Sequence, residues 1–242
     1  MVIDITKDFK KYISDFRRSD NRGIKNEHET SGLVSKFCED VLGYEFLREI
    51  SLEYRVKHKY VDYAIVLDKK VQFFIEVKRT SLALKENHVE QASSYAANEG
   101  IHWVLLTNGK NWKMYHLSFG ARKGIQHKLV WDVDILEDDK IKDSISKLSM
   151  LHKKNITKGM LDAYFNRQET LSPENILQAI FHEKILHLIC LNLKKSSGIK
   201  IDKEELRKKV KDMISKETWK KMNGDNIKII SKKKSAKQKK NV

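Results

Sequence analysis

The chain is poor in the residues that staple a fold together. It has only two cysteines, Cys38 and Cys190, with no CxxC pair and no histidine array beside either, which excludes a disulfide framework and argues against a structural zinc site. It has no apolar run near the length of a bilayer, and the opening MVIDITKDFKKY is too charged for a signal peptide. A cytoplasmic address without membrane attachment is therefore expected, which makes the Asn155, Ile156, Thr157 sequon a coincidence of letters. No GxxxxGK loop followed by Ser or Thr occurs, so these 242 residues carry no ATP-driven motor of that type. There is no internal repeat, and the single proline, Pro173, marks the start of a helix rather than a linker.

What is abundant is charge. Charged residues make up 33 % of the chain beside 40 % hydrophobic residues, a balance that suits a folded, well-solvated protein. The net charge is +15, and removing the six lysines of the last twelve residues still leaves a body at +9. A basic body with a basic tail points to a polyanionic partner, bound through phosphate neutralisation and counterion release. Lys232, Lys233 and Lys234 head that tail and are candidate nucleic-acid contacts. At 28.4 kDa the chain can hold one good core plus an appendage.

The hydrophobic pattern divides the chain. Ile3 to Phe16 and Asn26 to Leu42 read as amphipathic helices, the second with Asn26 as N-cap and Gly43 just past its end. Ser51–Val56, Tyr60–Leu67 and Val71–Lys78 then read as strands, and the last two form a hairpin across Asp68, Lys69 and Lys70. A helix from Asn87 to about Asn98, with Glu90 as capping partner, precedes strands at His102–Thr107 and Trp112–Leu117 joined by an Asn-Gly turn. A last strand falls near Lys128–Val133. Helical patterns follow, including an apolar helix after Pro173 and a charged one near Asp202. The expected organisation is a sheet domain over residues 1–136, a helical domain over 137–230 and a disordered lysine-rich tail over 231–242.

Strand alternation puts Glu76 and Lys78 on one face. A three-residue loop centred on Lys69 sets Asp62 opposite Glu76; a two-residue loop shifts that register. Two facing carboxylates at the ends of the apolar runs YAIVL and VQFFI repel each other unless a cation compensates, and burying them needs a reason. Solvent-side acids salt-bridged by Lys78 are the plainer alternative.

The ordered set NEHET opening a helix that ends in LGY, then VDYAIVL, FFIEVKR, EQASSYA and VLLTNGKNWKMY, resembles the PD-(D/E)XK nuclease superfamily. Within it, the set is similar to the N-terminal nuclease domain of type I restriction enzyme R subunits. The resemblance runs from about Asn26 to Leu117; Val61 stands where the family has its leading proline. It implies an α/β fold, a restriction-endonuclease-like mixed sheet flanked by helices and followed here by an α-helical C-terminal region. It also implies a Mg²⁺-dependent DNA endonuclease in restriction or defence, with Mn²⁺ able to substitute.

By the same resemblance Asp62, Glu76, the Val77 carbonyl and Glu27 would form the metal shell, and Lys78 would position or deprotonate water or stabilise developing charge. Glu27 is equally a favourable charge at a helix N-terminus, with Glu29 its rival. Gln91 and Tyr95 match the family's QxxxY element and share a helix face, where they would hold phosphate backbone or orient the site. DNA is the expected partner. Cutting a duplex would favour a homodimer, and the absent motor implies either a standalone enzyme or reliance on a targeting or motor subunit. The alternative is a non-catalytic nucleic-acid-binding or regulatory subunit that keeps the fold. His182 and His187 lie five apart, a poor spacing for a shared metal on one helix.

Overall fold

The structure, a computed structural model, describes residues 3–20, 26–56, 59–120 and 124–221. Helices α1 (Thr6–Asp20), α2 (Glu27–Asp40) and α3 (Phe46–Glu49) lead into strands β1 (Ile50–Val56), β2 (Lys59–Leu67) and β3 (Lys70–Val77). Helix α4 (Asn87–Glu99) crosses over to β4 (Trp103–Thr107), followed by β5 (Asn111–Gly120) and β6 (Gly124–Asp134). The six strands form one sheet in chain order, antiparallel throughout except for the parallel β3–β4 pair. That parallel pair requires the α4 crossover, because a hairpin can join only antiparallel neighbours. The expected mixed sheet flanked by helices is present, with a helical region after it.

The sheet is covered on both faces. Val89, Ala92, Tyr95 and Ala96 of α4 pack with Ala64, Phe74, Val104 and Leu106 of the central strands. On the other face Phe37 of α2 sits against Trp112 with ring centroids 4.4 Å apart, and Phe9 and Tyr12 of α1 pack edge-on to Phe37. Asn26 caps α2 as expected, its side chain accepting from the Glu29 N–H at 2.7 Å. At α4 the capping expectation needs correction. Asn87 is already helical and no side-chain cap bond forms; instead the His88 Nδ1 accepts from the Lys85 N–H at 3.2 Å. Gly109, in the β4–β5 turn, has φ 86°, and a Cβ there would meet the Phe16 ring at 2.9 Å, so α1 packs against this turn only because it is glycine.

Helices α5 (Ile141–Ser149), α6 (Lys153–Ile156) and α7 (Met160–Thr170) follow, then α8 (Pro173–Ile180), α9 (Glu183–Ser197), α10 (Lys203–Asp212) and α11 (Lys216–Lys221). The chain divides into two compact units between Ala163 and Tyr164, within α7. The change from strands to helices near residue 136 therefore does not coincide with the end of the first unit. Residues 141–162 are tied to it: the Tyr44 hydroxyl donates to the Leu151 carbonyl at 2.6 Å, the Lys153 N–H to Leu42 at 3.0 Å, and the Trp103 indole N–H to Asp162 at 2.8 Å. Asn155 of the sequon is fully buried, its amide donating to the Ser149 carbonyl.

The second unit is built around Leu177, Phe181, Leu186, Cys190, Leu206 and Trp219. Ser172 caps α8 with Pro173 in its first turn, and His182 caps α9 by accepting from the Lys184 N–H. Both cysteines are free and buried. Among the described residues no single helix is long and apolar enough to cross a membrane. Lys232, Lys233, Lys234 and the rest of the expected tail lie outside the described residues.

Candidate active site

The β2–β3 hairpin sets the register of the acids in two steps. Its turn is the two-residue Asp68–Lys69, both left-handed at φ 49° and 62°, with Leu67 paired to Lys70. Alone, that turn would set Asp62 against Ile75. A bulge between Ile65 and Val66 spends one extra residue, Gln72, on β3, and the pairs beyond it become Ile65 with Phe73 and Tyr63 with Ile75. The next step brings Asp62 level with Glu76. There the ladder gives way to a side chain: Asp62 Oδ2 accepts the Val77 N–H at 2.7 Å. A strand residue sends its N–H and C=O to the same edge, so the Val77 carbonyl also lies on the Asp62 side.

Lys78, two residues beyond Glu76, donates from Nζ to Glu76 Oε1 at 2.6 Å and lies 3.6 Å from Glu27 Oε1. Its backbone N–H is held by the Thr107 carbonyl of β4 at 2.8 Å. Glu27 is the first residue of α2, and Glu29, its rival, has its backbone N–H held by the Asn26 cap. The N-terminus of α2 is fixed to the end of β3 by a pair of buried hydroxyls: Thr30 Oγ1 lies 3.1 Å from Thr80 Oγ1 and accepts the Thr80 N–H. The Asn108 amide then ties Thr80 and Leu82 to the β4–β5 turn. Two carboxylates, Glu76 and Glu27, thus meet one ammonium, and Asp62 stands level with Glu76 beside them.

Glu76 is only 4 % exposed. Burial, and then the charge of Asp62, push its carboxyl up to about 7 against the help of Lys78. Burial also raises Asp62, opposed by the Val77 N–H and Lys78, with Glu27 and Glu53 adding to the rise. Burial alone would lower Lys78, but Glu76, Glu27 and Asp62 together outweigh it and hold the ammonium above its ordinary value. Among the described residues no group of three or more acid, histidine or cysteine side chains is arranged to hold a metal. The oxygens of Asp62 and Glu76 suit a hard dication that keeps most of its waters, the habit of Mg²⁺.

Gln91 and Tyr95 line an open depression with Tyr60 and Ser94; Tyr95 is buried and Gln91 exposed. Two residues escaped the sequence reading. Glu53 of β1 stands level with Asp62, between the pairs Leu52–Tyr63 and Tyr54–Val61, with φ at 43°. Its signal was hidden in the unread β1–β2 register. His88, in the first turn of α4, feels Lys78 and Glu27; burial first, then Lys78 and Lys85, lower its pKa. A histidine one turn before Gln91 was the available clue.

Residues 40–128 match the family described as the type I restriction enzyme R protein N terminus. That span includes Asp62, Glu76, Lys78, Gln91 and Tyr95, but not Glu27. A solved structure of the type IIG restriction endonuclease BpuSI is similar over 65 % of this chain at 18 % identity, with a TM-score of 0.37. The alignment covers 21 % of that enzyme's chain, so this protein spans only a fraction of its length. No curated protein matches the chain.

Proposed function

We propose that the chain is a metal-dependent phosphodiesterase, a DNA endonuclease of the restriction type, with Asp62, Glu76 and Lys78 as its catalytic residues. The observation that carries this reading is Glu76: a carboxylate 4 % exposed, level with a second acid at the end of two apolar strands, with a lysine at 2.6 Å. Packing alone gives no reason to bury such a group, since desolvating a charge costs several kcal/mol. The match over residues 40–128 to a restriction enzyme R protein N terminus supports the same reading.

Mg²⁺, or Mn²⁺ in its place, held by Asp62 and Glu76 with the Val77 carbonyl and Glu27 alongside, would supply Lewis-acid polarisation of the scissile phosphate and acidify an attacking water. The Val77 hydrogen bond orients one carboxylate oxygen of Asp62, which would leave the other for a ligand. Lys78 keeps its proton, because the acids around it raise its pKa. As an ammonium it would donate hydrogen bonds to a non-bridging phosphate oxygen as negative charge grows there. Thr30, Thr80 and Asn108 tie the start of α2 to the end of β3, which keeps Glu27 within reach of Lys78.

DNA is the proposed substrate. A second copy of the chain, or a targeting or motor subunit, would supply the second cut or the address. The test is cleavage of plasmid and linear DNA by the purified protein with Mg²⁺ or Mn²⁺, beside folded Asp62→Ala, Glu76→Ala and Lys78→Ala proteins. Metal-dependent cutting lost in all three is expected. Cutting that survives Asp62→Ala would reject the site.

A further inference from the structure

The depression beside α4 does not include the acids. Its walls are Tyr60, Gln91, Ser94 and Tyr95, and it is a shallow depression of about 580 Å³, open to solvent. Tyr60 is 55 % exposed. One exposed ring on a protein surface is ordinary. This ring, however, lines a hollow together with a carboxamide and a hydroxyl, and both walls of the hollow lead to the proposed site. Along β2, Tyr60 stands two residues before Asp62, about 7 Å at the usual strand rise. Along α4, Gln91 stands one turn after His88, which lies in the field of Lys78 and Glu27.

We propose that this hollow takes an unpaired nucleobase of the DNA strand next to the phosphate being cut, stacked on Tyr60 with its edge hydrogen-bonded to Gln91. The inference rests on the reading of Asp62 and Glu76 as a phosphodiesterase site, since a phosphate held there sets the strand in register with the hollow. Every base has a π-face, so stacking on an aromatic side chain is tolerant of sequence. Gln91 carries both a donor and an acceptor and can meet the edge of more than one base. Paired bases in a duplex are stacked on each other and reach such a hollow only when extruded. The hollow therefore takes a base that is already unpaired, in a single strand or beside the cut in a duplex.

The test is binding of a short single-stranded oligodeoxyribonucleotide to the full chain, with Ca²⁺ in place of Mg²⁺ and one 2-aminopurine as stacking reporter. The same strand with one abasic position and its duplex form serve as comparisons. Tyr60→Ala is expected to weaken the single strand about tenfold, the size of one lost base stack, and to abolish the reporter quenching. Tyr60→Trp should restore both, and the duplex should bind both variants alike. Unchanged single-strand affinity and quenching in Tyr60→Ala would overturn the proposal. Cleavage by Asp62→Ala separates the two ideas. If that protein still cuts while Tyr60→Ala loses the stack, the catalytic reading fails and with it the placing of the base beside the cut, leaving only a base-stacking hollow; if it does not cut and Tyr60→Ala binds normally, the hollow fails alone.

Discussion

The two units of this chain bury different things. Among the described residues, the buried core of the helical unit is apolar: Leu177, Phe181, Leu186, Cys190, Leu206 and Trp219. The sheet unit also has a large apolar core, yet it buries Thr30, Glu76, Thr80, Thr107 and Asn108 as well, and these cluster at the ends of β3 and β4 and the start of α2. Hydroxyls and amides buried with partners cost little, but a carboxylate pushed up to about 7 is held there against its solvation. Packing accounts for the helical unit. The sheet unit also buries polar side chains elsewhere, Ser93 and Asn155 among them, but Glu76 is its one buried acid among the described residues.

The two units should differ most in their response at Asp62. Asp62→Ala should lower the cleavage rate on the order of 10³-fold or more while the folded state persists, read by plasmid nicking beside circular dichroism. Lys78→Ala should cost about 10²-fold to 10³-fold in kcat with little change in DNA affinity, since its proton serves the transition state; a change in KM alone would contradict that role. In the helical unit, Leu186→Ala should cost about 2–5 kcal/mol of stability in denaturant unfolding and leave Mn²⁺ affinity unchanged, as befits a residue that only packs.

Glu76→Gln tests the same contrast through stability. The folded carboxyl titrates at about 7, above its ordinary 4.5, so folding takes up a proton between those values. The stabilising share of the protonated form is complete below pH 4.5 and is lost as pH rises through 7. Glu76→Gln, which mimics the protonated group, should therefore raise Tm at pH 8 in chelator, by about 1–3 kcal/mol in stability, and change little at pH 4. A lowered Tm at pH 8 would mean that the Lys78 ion pair, not desolvation, governs this corner. The smallest expected effect is at the Asn26 cap, where Asn26→Ala should cost about 1 kcal/mol and loosen Glu27 from Lys78.

Much of this was legible in the chain itself. Period-2 runs found β2 and β3, and the ExK spacing put Glu76 and Lys78 on one face without any tertiary information. Asp62 opposite Glu76 followed from assuming a three-residue loop; the register holds, but a two-residue turn and a bulge at Ile65–Val66 produce it. No residue pattern announces such a bulge, because Val66, Val71 and Gln72 are all acceptable strand residues. Glu53 escaped because its pairing with β2 is a tertiary fact. The division at Ala163–Tyr164 escaped because α5 and α6 read as generic helices, while the contacts of Leu151, Lys153 and Asp162 with the sheet unit leave no local signature.

A divalent cation would account for the burial of Glu76 beside Asp62. Titration of the full chain with Mn²⁺, followed by electron paramagnetic resonance at pH 6 and pH 8, tests it most directly. The expected result is a site that fills at pH 8, weakens at pH 6 as Glu76 takes up its proton, and disappears in both Asp62→Asn and Glu76→Gln. Equal Mn²⁺ binding by wild type and Asp62→Asn, or no binding at either pH, would contradict it.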